Sequence, residues 1–144
     1  MRLQTGLHLF GRVVLAAVPY TRAPMPGANL IYIYAVQSLL PRADFRELLA
    51  SGLLVPPVWT DRLPWTKGYF QHINNRPLNG FDLLPHCFRR APVEPDSAIK
   101  YVDEAGRELR ARTEPCGEWG LASYRWIDDQ VSDAVGMRRA RTSA

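Results

Sequence analysis

Twelve prolines and ten glycines interrupt this chain of 144 residues, and they limit what it can become. A proline inside a helix removes a hydrogen bond and clashes with the preceding turn; inside a central strand it removes a ladder donor. So dense a scatter speaks against a bundle of long helices and for short elements joined by shaped turns. The length suits one domain with one sizeable core. A composition 47% hydrophobic and 22% charged is that of a folded chain, not a disordered one. The longest apolar runs, VVLAAVP and LIYIYAV, fall well short of the roughly 18 residues a membrane span needs. Gln4, His8 and Arg12 break the apolar N-terminal stretch, which argues against a secretory signal.

Between the breakers, local patterns assign the elements. GLHLFGRVVLAAV (6–18) reads as an early strand or pair of strands interrupted at Gly11. LIYIYAV (30–36) is β-branched and aromatic without polar alternation, which predicts a central strand covered on both faces. PRADFRELLASG (41–52) predicts a short helix, with Asp44 in its early turns and Gly52 as a left-handed stop. Pro56 and Pro57 make 53–64 an extended, packed connection, and GYFQHI (68–73) reads as a strand that leads into an NNRPLNG turn. HCFRR (86–90) is another short extended piece. YVDEAGREL forms the centre of a hairpin, where Gly106 supplies a positive φ. A second helix is predicted at about 124–135: Ile127, Val131 and Val135 repeat every four residues, Ser123 is the candidate N-cap, and Asp128 and Asp129 favour the positive end of its dipole. The fold class that follows is α+β: a single small domain over residues 1–136, a mostly antiparallel curled sheet with two short helices, and a basic, flexible tail at 137–144.

Charge and chemistry narrow the function classes. The formal net charge is +4, but its distribution is uneven. Residues 101–136 carry four basic and eight acidic groups, and the last eight residues add three arginines. No Lys/Arg cluster interleaved with aromatics marks a groove that tracks phosphates, so direct nucleic-acid binding is not expected. The histidines, His8, His72 and His86, have no ligand-like spacing, and Cys87 and Cys116 form no CxxC. No phosphate-cradling glycine loop or nucleophile elbow occurs. The expectation is therefore no catalytic residues, no metal and no cofactor. His86-Cys87 reads as a buried thiol beside an imidazole in preference to a catalytic pair. The two cysteines read as reduced thiols, with a disulfide as the second reading. Asp129 and Asp133, four apart on a helix, fit either a solvated face or a carboxylate patch turned to a basic partner. Trp59, Trp65, Trp119 and Trp126 are many for so small a domain; core packing and interface anchoring are both open to them.

Several phrases together resemble one family. LLVPPVWTDRLPWTKGYFQHINNRPL, HCFRR, YVDEAGREL and GEWGLASYRWIDDQVSDAVG occur in the order and approximate spacing of the bacterial polymorphic-toxin immunity proteins called immunity protein 26. FGRVV and LIYIYAV are similar to the opening strands of that family, so the likeness spans about residues 9–136. The resemblance implies a small cytoplasmic α+β protein that binds and neutralises a cognate toxin domain, in a one-to-one complex and without a membrane anchor. Some relatives carry an organophosphate-hydrolase name, which supplies an enzymatic alternative. Such chemistry ordinarily uses a metal-activated water, for which no histidine cluster stands ready. On the immunity reading, Asp128, Asp129 and Asp133 with Glu118 are the first candidates for partner contact, and the loop Asn74, Asn75 and Arg76 is the second. Trp65, Tyr69, Trp119 and Ile127 are expected in one hydrophobic cluster.

Overall fold

In the computed structural model, residues 1–3, 5–19, 23–73, 84–92 and 94–136 are described. The candidate loop Asn74, Asn75 and Arg76, the whole NNRPLNG turn and the tail 137–144 lie outside these residues. The described chain is an α+β domain of two small sheets and three helices. One sheet has the order β1-β2-β3-β7, from His8–Val18, Ala28–Ser38, Val58–Thr60 and Leu121–Ala122. The other has the order β5-β4-β6, from Lys100–Val102, Cys87–Arg90 and Cys116–Glu118. Three strand pairs are antiparallel, while β3–β7 and β4–β6 are parallel.

Strand β2 lies inside the first sheet, and its alternation shows why its sequence carries so few polar residues. Leu30, Tyr32 and Tyr34 enter one hydrophobic cluster, and Ile31 and Ile33 enter another on the opposite face. Phe88, Val102 and Leu48 close the first cluster, so the second sheet and helix α1 (Phe45–Ser51) cover that face. Ile127 and Val131 of helix α3 (Tyr124–Ala134) close the second cluster. The expected two-faced burial of 30–36 is thus observed. The expected interruption at Gly11 is a register shift between Leu9 and Gly11. A Cβ on Gly11 would lie 2.7 Å from the Tyr32 carbonyl oxygen, so this close crossing of β1 over β2 requires glycine.

Helix α1 begins later than the 41–52 pattern suggests: Asp44, expected in its early turns, is instead its N-cap and accepts from the Arg46 N–H at 3.1 Å, and Gly52 leaves the helix at φ 74°. Ser123 caps α3 by accepting from the Trp126 N–H at 3.1 Å. Asp128 and Asp129 then fall beyond the first turn, where the helix dipole no longer rewards a carboxylate, which corrects their expected role.

Two further expectations are corrected. GYFQHI is not a strand. A third helix, α2 (Leu63–Thr66), precedes it: Asp61 accepts from the Leu63 N–H at 2.9 Å, Pro64 opens the turn, and Gly68 closes it at φ 75°. The Phe70 N–H then donates to the Pro64 carbonyl at 2.8 Å, folding the aromatic pair back over the helical turn. Nor are the cysteines separate thiols. Cys87 and Cys116 face each other in the parallel β4–β6 register, with Cα atoms 4.3 Å apart, and are joined as a disulfide. No sequence spacing announces that meeting, because the register of two strands 29 residues apart creates it.

Candidate functional site

The acidic candidates do not occupy one environment. Asp128 accepts a 2.7 Å hydrogen bond from the Tyr69 hydroxyl, tying the 63–70 segment to the side of α3. Burial first, and this bond second, push the Tyr69 pKa up, so the phenol stays a donor to the carboxylate. Glu118, on β6, is 3.3 Å from the Arg89 guanidinium of neighbouring β4, an ion pair with both side chains substantially exposed. Asp133 is exposed and Asp129 half-buried, and each has an interaction of its own. By helical spacing, Asp129 and Asp133 follow Trp126 along one stripe of α3, whereas Asp128 follows Tyr124. The structure therefore joins Asp129 and Asp133 into one face and turns Asp128 toward Tyr69.

The expected core residues divide between two clusters. Ile127 is fully buried in the second, where Trp65 and Tyr69 pack against it half-buried. Trp119 packs against the first, edge-on to Trp59 with ring centres 5.7 Å apart. It also covers the hairpin turn, since a Cβ on Gly106 would lie 3.3 Å from its ring. The first sheet separates the two groups, which is why one cluster cannot hold all four. Trp65 and Tyr69 instead flank Phe70, at centroid distances of 5.2 and 5.3 Å.

A buried polar relay crosses the first cluster. The Leu84 N–H donates to the Tyr32 hydroxyl at 3.1 Å, and that hydroxyl lies 2.8 Å from Nδ1 of His86. On the other side of the ring, Nε2 is 3.2 Å from Glu104 Oε2, but too far off line to count as a satisfied hydrogen bond. Burial lowers the His86 pKa, against the opposite pull of Glu104 and then Asp103. Burial thus favours the neutral imidazole, whose Nδ1 shares a hydrogen bond with the Tyr32 hydroxyl. The His86 side chain is fully enclosed and Tyr32 fully buried, so this relay orders the interior and presents no reacting atom to solvent. Sequence reading missed it because its members come from β2, the start of β4 and the hairpin turn. His86 and Cys87 do not converge: the ring faces Tyr32 and the sulfur faces Cys116.

Two of the surface depressions bear on the candidate residues. One, of about 240 Å³, is lined by residues that include Arg12, Tyr34, Phe45, Trp65 and Phe70, with the Arg12 guanidinium 4.8 Å over the Phe45 ring. The other, of about 340 Å³, lies beside α3 and includes Trp59, Glu118, Leu121 and Trp126 in its walls. Among the described residues no group of three or more His, Cys, Asp or Glu could hold a metal, and no helix is long and apolar enough to cross a membrane.

Fold and packing together define a small α+β domain of two sheets and three helices. The family model of immunity protein 26 matches residues 1–96, and the chain belongs to that family. No curated protein and no solved structure matches it.

Proposed function

We propose that this protein is a cytoplasmic immunity protein that binds a cognate toxin domain one-to-one and neutralises it without turnover. Membership of the immunity protein 26 family carries this reading. A stoichiometric inhibitor needs a complementary surface and no reacting centre, and its charges serve mainly to speed encounter and reject wrong partners. The surface we assign to the partner is the Asp129–Asp133 face of α3 with Glu118 at its foot; the loop Asn74, Asn75 and Arg76 is its competitor. Asp128, itself exposed, is held by the Tyr69 hydroxyl on an adjoining part of the helix. A basic toxin domain fits this assignment best.

The test is co-expression of the protein with the toxin encoded beside it, followed by copurification. Growth rescue and a one-to-one complex are expected. Reversing charge at Asp129 and Asp133 should slow association and weaken rescue while the thermal midpoint holds. Rescue lost only on altering Asn74, Asn75 and Arg76 would move the surface to that loop. A neighbouring toxin that neither binds nor is neutralised would overturn the reading.

A further inference from the structure

The Cys87–Cys116 disulfide is the one covalent tie between distant parts of this chain, and it sits on the seam where edge strand β6 joins central strand β4. The other ties across that seam are modest. Three register positions pair the strands, and the Trp119 N–H donates to the Arg89 carbonyl at 2.9 Å. The Arg89–Glu118 ion pair is exposed and adds little. Gly117 lies against Pro57 without a side chain to anchor it. Residues 110–114, which lead toward β6, are all exposed, so no packing fixes the approach to Cys116. Beyond β6 come the two residues of β7, and α3 follows at once from its Ser123 cap. The placement of β6 therefore governs how β7 meets β3 and how Ile127 and Val131 reach the second cluster.

The two sulfurs are enclosed unequally. Cys87 is 0% exposed, on the central strand between the buried His86 and Phe88, whereas Cys116 is 7% exposed at the start of the edge strand. A thiolate exchanges with a disulfide only at a sulfur it can reach. Cys116 becomes reachable when β6 lifts on the exposed 110–114 stretch, while Cys87 stays covered. Such opening of a short edge element is the local unfolding expected where few packed contacts hold it.

We infer that the Cys87–Cys116 pair is a redox latch that sets how firmly β6, β7 and α3 are held to the rest of the fold. To open it, a thiolate bonds to Cys116 Sγ, the S–S bond breaks, and its electron pair leaves on Cys87 Sγ, which takes a proton from water. A second thiolate then attacks the small molecule's sulfur in that mixed disulfide and releases Cys116. The products are two protein thiols and one small-molecule disulfide. Closing is the reverse: two cysteine thiols and one small-molecule disulfide give the protein bond and two free thiols. A reducing cytosol holds the latch open, and an oxidising shift closes it. The inference goes beyond the immunity reading and is independent of it, since its readouts need no toxin.

The experiment equilibrates the full chain at varied ratios of reduced to oxidised glutathione and follows amide hydrogen exchange and melting. Reduction should speed exchange in β6, β7 and α3 roughly tenfold or more and leave β1 and β2 unchanged. The thermal midpoint should drop by about 10 °C, and oxidised glutathione should restore it. Cys116→Ser, which has no bond to break, should match the reduced parent at every ratio; the reduced parent makes the same comparison without any substitution. Alkylation early in reduction should trap glutathione on Cys116. Unchanged exchange in β6, β7 and α3 would overturn the latch. Equal loosening of β2 would also overturn it, because the bond would then staple the whole fold. A first adduct on Cys87 would place the opening at β4 and overturn the proposed route.

Discussion

Tyr69 and Asp128 show how one side chain can serve both the fold and the surface around it. Their 2.7 Å bond joins the irregular 63–70 segment to α3, and the Tyr69 ring packs between Phe70 and Tyr124. Tyr69→Phe should keep the ring packing, lose only the bond, and lower stability by about 1 kcal/mol in urea unfolding. An unchanged midpoint would mean that water replaces the hydroxyl without loss. The enclosed His86 gives a residue-scale pH dependence. Burial lowers its folded-state pKa below the unfolded value of about 6.5, so the folded state resists a proton that the unfolded chain accepts. Its contribution is complete above that unfolded value and is lost as pH falls toward the depressed folded value. Melting curves should therefore fall as pH drops below about 6.5, and His86→Gln should flatten that slope even if its midpoint is lower throughout. A slope identical in parent and variant would show that His86 does not set it.

At the scale of elements, periodicity and caps were legible and encounters between distant segments were not. The β2 run, the Ser123 cap and the Ile127–Val131 spacing each announce their element, because a strand or helix writes its period and its ends into neighbouring residues. Helix α2 was legible in principle, since Asp61, Pro64 and Gly68 are start and stop signals, but the aromatics after Gly68 imitate a strand. On the candidate surface, Asp129 and Asp133 could be read as neighbours from their spacing. The separation of Asp128 by Tyr69, and the convergence of Trp126 with Leu121 and Glu118, depend on how β6, β7 and α3 pack. The Cys87–Cys116 link belongs to the same class, since it exists only through the β4–β6 register. Alkylation under non-reducing, denaturing conditions followed by intact-mass measurement should show neither thiol modified. Two adducts would instead mean that the strands hold two reduced sulfurs side by side.

The whole molecule closes only through its C-terminal third. The family match covers residues 1–96, yet both hydrophobic clusters depend on residues beyond it. Val102 and Trp119 cover the first cluster, and Ile127 and Val131 seal the second. Strand β7 extends the first sheet beside β3, and β6 pairs with β4. Gly117 brings those layers together so tightly that a Cβ there would collide with the Pro57 carbonyl. Residues 1–96 alone would expose much of the apolar surface that β2 buries on both faces, and would lack the partners of β3 and β4. The complete chain should therefore unfold in one cooperative transition, and a 1–96 fragment should show no cooperative melt and should bind a dye that reports exposed apolar surface. A fragment melting sharply near the parent temperature would mean that the first sheet and α1 form a self-sufficient unit. In that case β5, β6, β7 and α3 would be an appendage to an already stable core, and removing them would leave the fold of β1, β2 and β3 intact.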